Sequence, residues 1–342
     1  MRKIRFEVLL VAAIGLVVLA SCDKQAVPGA ILELNGPVMG TRFNVQVVGM
    51  PESLDKEALA AEIRATLDGI NATMSTYLAE SEVSQFNQYA GTDWFPVSAS
   101  TAKVTEAAQK ISAATGGAFD ITVGPLVNIW GFGPESALEA MPDRSVIAAV
   151  SERIGYQKLD VRVDPPALKK SEPDLYIDLS AIAKGYAVDV VCDLLADKGL
   201  ENFLVDIGGE LRFTGRNAQG DLWRVAIENP RGDRKPYEVL SLEGGAVATS
   251  GNYRNYFEIG GQRFSHTIDP RTGRPVNHSL VLATIVSDEA MTADGWATAM
   301  IVLGAEEGIV VAEREGLAAL LLSEDGESLR EASSSAMESL RD

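Results

Sequence analysis

Hydrophobic and polar positions change period several times along this chain, and each change marks an element. Residues 31–34 and 41–48 alternate or run apolar like paired strands, with Asn35-Gly36-Pro37 as a break between them. Met39-Gly40-Thr41 stands at the start of the second strand, where a glycine suits either a β-bulge or the close approach of a ligand. Over residues 53–77 the period lengthens, and Leu54, Leu59, Ile63, Leu67 and Ile70 share one face of a helix. Residues 102–115 form a second amphipathic helix, stopped by Gly116-Gly117. Residues 118–126 then give a strand-like run into a Gly-Pro turn. Residues 175–180 read as a strand feeding a helix that runs to about residue 198, and 203–211 as a strand ending in Gly208-Gly209, with a hairpin as the alternative. Residues 223–227, 240–242, 246–250 and 280–286 are further strands, and a helix opens at Met291.

The N-terminus follows different rules. Arg2, Lys3 and Arg5 precede an apolar run over residues 8–20 that is too short for a mature membrane span, so residues 1–21 read as an export signal. The run ends in Leu19-Ala20-Ser21-Cys22, which resembles a lipoprotein cleavage site with Cys22 as the lipidated residue; an ordinary cleaved signal is the alternative. Asp23 resembles an inner-membrane retention signal. Residues 22–30 are then a tether, 31–330 a single folded unit, and the Ser-rich residues 331–342 a frayed tail.

Loss of the signal takes the net charge from −18 to about −20, which excludes nucleic acid as a partner and obliges any bound polyphosphate to bring a cation. Only Cys192 remains beside Cys22, and its apolar neighbours Val190 and Val191 place it in a buried helix face rather than in a reactive site.

Candidate chemistry concentrates over residues 264–276. His266, one of two histidines, ends an extended segment that feeds the turn Asp269-Pro270-Arg271-Thr272-Gly273, the geometry of a reactive side chain or of a structural hydrogen-bonder. His278, beyond that turn, reads as structural. Asp178 and Ser180 stand at a strand-to-helix junction as N-caps, or together with Lys184 as an anion site. Asp294 and Thr298 lie four apart on one helix face, which suits either a hard cation such as Mg²⁺ or a plain helix start. Tyr77 and the aromatics of Trp130-Gly131-Phe132-Gly133 suit a planar ligand or a packed core.

Five of these stretches occur together and in order: Met39-Gly40-Thr41, Ala118-Phe119-Asp120, Asp178-Leu179-Ser180 with Lys184-Gly185, Ser265-His266-Thr267-Ile268-Asp269-Pro270, and Ala293-Asp294 with Thr298. In this the chain resembles the ApbE family, the FAD:protein FMN transferases of bacterial envelopes. The resemblance implies an α+β, T-fold-related unit of two interwoven subdomains with an FAD site in the cleft between them. It implies Mg²⁺ as cofactor and FAD as substrate, with FMN attached by a phosphoester to a threonine of a partner and AMP released. Met39, Tyr77, Ala118, Phe119, Asp120, Asp178, Lys184, His266 and Ile268 would line the FAD site. Asp294, Thr298 and the main-chain carbonyl of Ala181 would hold the metal. Lys184 replaces an acidic residue found in some members. Partners in the family are redox membrane complexes, of the sodium-pumping quinone reductase or Rnf type, with an Asp/Ser-Gly-x-Thr/Ser-Ala-Thr-like motif. The expected location is the periplasmic face of the inner membrane, through a lipid on Cys22. His266 is the general-base candidate for the acceptor threonine, with Asp269 orienting the site. An FAD pyrophosphatase and a flavin-binding lipoprotein without chemistry are the rival readings.

Overall fold

The computed structural model describes residues 29–133, 141–232, 235–253, 256–259 and 262–341. The export signal, Cys22 and most of the tether lie outside the described residues. Eight strands form one antiparallel sheet: β1 (Ile31–Val38), β2 (Thr41–Val48), β3 (Phe203–Ile207), β4 (Glu210–Thr214), β5 (Gly245–Gly251), β6 (Leu280–Ser287), β7 (Ala318–Asp325) and β8 (Ser328–Ser333). Their order across the sheet is their order along the chain. The four longest helices among the described residues are α1 (Lys56–Met74), α2 (Ala99–Ala114), α3 (Ala183–Asp197) and α4 (Ala290–Glu315).

Alternation along the central strands explains why both faces are covered. Ala246 and Ala248 of β5, Ala283 and Ile285 of β6, and Ala319 and Leu321 of β7 enter the main core, under α1, α3 and α4. Val247, Leu282, Leu320 and Leu322 point the other way, into a second core closed by the ribbon Trp223–Ile227 with Glu238–Leu242 and by Met337. Residues 49–202 leave the sheet after β2 and return at β3, so the helical and sheet parts interweave as an α+β unit. Although α4 is long and apolar enough to cross a membrane, 67% of its most apolar window is buried, and it serves as a core helix.

Four sequence expectations are corrected. Asn35-Gly36-Pro37 does not interrupt β1. On this edge strand the missing N–H of Pro37 costs no ladder bond, and its carbonyl accepts from Arg64 Nη1 at 2.6 Å. The break comes instead at Met39-Gly40, where φ values of 45° and 71° give a two-residue hairpin turn. Residues 118–126 are not a strand. The Asp120 carboxylate accepts from Thr122 N and Oγ1 and from Tyr156 N, which folds the run into a turn ahead of the short helix Gly124–Ile129.

Residues 175–180 are extended but join no ladder. Asn87 takes the place of a neighbouring strand, accepting from Ile177 N and donating to Ile177 O. The alternation of Leu175, Ile177 and Leu179 records burial rather than sheet pairing. Fully buried Lys170 binds the same region, donating to the carbonyls of Phe86 and Leu175. Finally, residues 331–341 are packed rather than frayed. They complete β8, Ser334 Oγ accepts from Ala319 N and donates to Leu317 O, and Met337 is buried. Arg341 pairs with Glu238, Glu331 and Glu338.

The starts of α3 and α4 meet backbone to backbone at Gly185, where a Cβ would collide with the Ala290 carbonyl and lie 2.7 Å from Met291 Cα. Each helix caps the other. Asp189 of α3 accepts from Ala290 N and Met291 N, and Asp294 of α4 accepts from Gly185 N. A Gly185→Ala protein is expected to unfold at a lower urea concentration, losing about 1–3 kcal/mol of stability with an unchanged denaturant slope.

Candidate active site

A cleft of about 940 Å³ opens where the starts of α3 and α4 meet the β3–β4 turn, β5 and the loop carrying His266. Tyr77, Ala118, Phe119, Asp120, Asp178, Ala181, Lys184, His266, Ile268, Asp294 and Thr298 all line it. The structure therefore brings together eleven of the thirteen candidate residues, which are scattered over more than two hundred positions.

Met39 and Asp269 are the exceptions. Met39 sits in the hairpin turn and lines a separate depression with Thr41, Asp68 and Asn71. Asp269 anchors the turn after His266. Its carboxylate accepts from Arg271 N at 2.9 Å, Nε at 3.1 Å and Nη2 at 3.2 Å, and Arg271 continues to Glu307 of α4. Asp269 thus orients the loop through Arg271 rather than through His266. A second tether holds the same loop, because Trp130 Nε1 donates to the Gly273 carbonyl and the Trp130 ring stacks on Phe264.

The cleft lining combines two kinds of chemistry. Phe119, Phe132 and Tyr77 supply aromatic rings to it, with Tyr77 67% exposed and the Phe132 ring 6.2 Å from that of His266. Lys184, Glu210 and Asp294 supply a charge cluster. Lys184 Nζ lies 2.7 Å from Glu210 Oε1 and 3.5 Å from Asp294 Oδ1. Asp294 Oδ2 accepts from Gly185 N at 3.0 Å, and Thr298 Oγ1 lies 3.3 Å from Ser250 Oγ. The expected caps on α3 are absent. Asp178 accepts from Ser180 N and Oγ, and α3 has no side-chain cap of its own.

Burial governs the titration of this cluster. It raises the pKa of Asp294 against the opposing pull of Lys184 and the Gly185 N–H. For Lys184 burial works downward, but the two carboxylates outweigh it and the pKa is raised. Glu210 is pushed up to about 8 by burial and by the Asp294 charge, despite its bond to Lys184. Burial also raises Asp120, against the bonds it accepts.

Among the described residues no three His, Cys, Asp or Glu side chains converge as a metal cluster. Asp294 and Thr298, one turn apart on α4, offer a carboxylate and a hydroxyl to the cleft, and Ala181 lines it as well. That set fits Mg²⁺, which keeps much of its water. The charge count fits as well. Two buried carboxyl groups face one ammonium, and Glu210 Oε2 has no hydrogen-bond partner.

Sequence reasoning passed over Glu210 and Ser250. The available signal was a carboxylate in an inward register of an apolar strand, immediately after a glycine pair whose φ values of 69° and 104° make a tight turn. Because folded Glu210 holds its proton more tightly than the unfolded chain does, its contribution to stability is complete below the ordinary glutamate range and is lost as pH rises through about 8. In EDTA, the melting temperature of the wild-type protein is expected to fall between about pH 5 and pH 8 relative to that of Glu210→Gln.

Known proteins resemble this chain along most of its length. The sequence profile of the ApbE family matches residues 39–321. The FAD:protein FMN transferase of Vibrio cholerae is 43% identical over 327 residues, covering 95% of this chain and 96% of the relative. That of Escherichia coli K12 is 38% identical, covering 90% of each. Among solved structures, the flavin transferase ApbE from Vibrio cholerae superposes with a TM-score of 0.86 at 41% identity over 91% of this chain and 99% of that one. The apo flavinyl transferase ApbE of Pseudomonas stutzeri gives 0.84 at 38% identity over 91% and 97%. With the matched profile spanning most of the chain and the relatives aligned nearly end to end, this protein belongs to the ApbE family.

Proposed function

We propose that this chain is a Mg²⁺-dependent FAD:protein FMN transferase. The observation that carries the reading is one cleft lined both by aromatic side chains suited to a planar ring and by oxygens suited to a cation-neutralised diphosphate. The names of the relatives support the same chemistry. In the reaction, the acceptor threonine oxygen attacks the phosphorus on the riboflavin side of FAD. The bond from that phosphorus to the bridging oxygen breaks, and AMP leaves.

His266 takes the threonine proton as general base, on a loop held by Trp130 and by the Asp269–Arg271–Glu307 chain. Tyr77 and Phe119 flank the flavin ring, and Lys184 reaches the diphosphate. Asp294, Thr298 and the Ala181 carbonyl would hold Mg²⁺, which would offset the phosphate charge and make the phosphorus more electrophilic. A net charge of −18 leaves the rest of the molecule no surplus of cations for that purpose. The acceptor is a subunit of a redox membrane complex of the quinone reductase or Rnf type with an Asp/Ser-Gly-x-Thr/Ser-Ala-Thr-like motif. The enzyme meets it at the periplasmic face of the inner membrane, anchored through a lipid on Cys22 after removal of residues 1–21.

Incubation of the mature protein with FAD, Mg²⁺ and an acceptor domain is expected to add one FMN to the acceptor by intact mass. EDTA or Asp294→Ala abolishes the addition, and His266→Ala slows it by about 10²–10⁴-fold. Conversion of FAD to FMN and AMP with no mass added marks water as the acceptor and a pyrophosphatase instead. Full transfer by His266→Ala removes the histidine from the mechanism.

A further inference from the structure

Among the described residues the buried charge cluster contains one group that the transfer reaction does not fully use. Glu210 is 5% exposed, and its Oε2 is buried without a partner while Oε1 holds Lys184. Lys184 is unequally shared: its ammonium lies 2.7 Å from Glu210 but 3.5 Å from Asp294, at the limit of hydrogen bonding. Asp294, 2% exposed, spends Oδ2 on the Gly185 N–H, leaving Oδ1 facing the ammonium. A buried carboxylate without a compensating charge is strongly disfavoured, so Lys184 makes the cation-free fold tolerable. A divalent cation on Asp294 then approaches the same ammonium, and the two repel across a poorly screened space.

We propose that Lys184 is a tethered counter-ion that competes with the divalent cation for Asp294, and that Glu210 is the seat that draws the ammonium aside when the cation binds. The proposal rests on the metal reading given above. Lys184 precedes Gly185, the point of closest α3–α4 contact, so its root is fixed and only the side chain moves. When a diphosphate enters, the ammonium gains a second anion to face. Cation and diphosphate therefore strengthen each other's binding without any change of backbone.

The test is Mn²⁺ affinity of the mature protein by titration calorimetry at one pH, without FAD. Lys184→Met is expected to bind Mn²⁺ about tenfold tighter than wild type, or more, and Lys184→Arg like wild type. Glu210→Gln is expected to bind several-fold more weakly, and most of that loss disappears in the Lys184→Met background, because the seat has nothing left to hold. Melting temperatures add a second readout: Lys184→Met is less stable than wild type in EDTA and gains more from Mn²⁺. If Lys184→Met proves too unstable to titrate, Lys184→Gln is read in the same way. Equal or weaker Mn²⁺ binding by Lys184→Met overturns the counter-ion, and an undiminished Glu210→Gln loss in the double variant overturns the seat. Asp294→Ala separates the two levels: it abolishes Mn²⁺ binding if the metal reading holds, and wild-type binding by this variant defeats that reading instead.

Discussion

The site depends on one close contact, the crossing of α3 and α4 at Gly185. Two helix starts meet there with no side chain between them, and each presents its unpaired N–H groups to a carboxylate of the other, Asp294 in one direction and Asp189 in the other. Arg212 completes the arrangement on the Asp189 side, and Lys184 on the Asp294 side. One carboxylate faces the structure and its twin faces the cleft. The same exchange of caps that locks the helices thus delivers the Asp294 side chain to the cleft.

The other half of the site is held from α4 as well. This helix turns sharply at Gly304, where φ is 78° and the His278 ring lies against the glycine with neither ring nitrogen hydrogen-bonded. Beyond the kink Glu307 receives Arg271, and Arg271 fixes Asp269 in the loop that presents His266. Asp294 precedes the kink and Glu307 follows it. Asp294 and the histidine loop are therefore both anchored to α4, on either side of its kink.

Much of this was readable from the residues. Helical periodicity located α1, α2 and α4, the four-residue spacing placed Asp294 and Thr298 on one face, and the His266 turn stood out by its Asp-Pro and Thr-Gly pairs. Failures came where side chains replaced backbone partners. Asn87 imitates a strand beside Ile177, and Asp120 bends a β-like run into a turn. Pro37 is harmless only because β1 lies at an edge, and the serines near the C-terminus are caps and packing residues rather than linker. Glu210 was hidden for another reason. A lone carboxylate in a strand gains meaning only when the fold places Lys184 and Asp294 beside it.

The agreement between strand order and chain order bears on how the molecule is made. A sheet whose strands lie in sequence grows at one edge, so each new strand finds its neighbour already waiting and none has to be threaded between two paired ones. The excursion over residues 49–202 is the longest closure in that series. During synthesis the cleft stays incomplete until β6 and α4 have emerged, because Asp294 and Thr298 arrive only then. A nascent chain can shelter its apolar strands early, but it has no place for a ligand until nearly all of its sheet has been laid down.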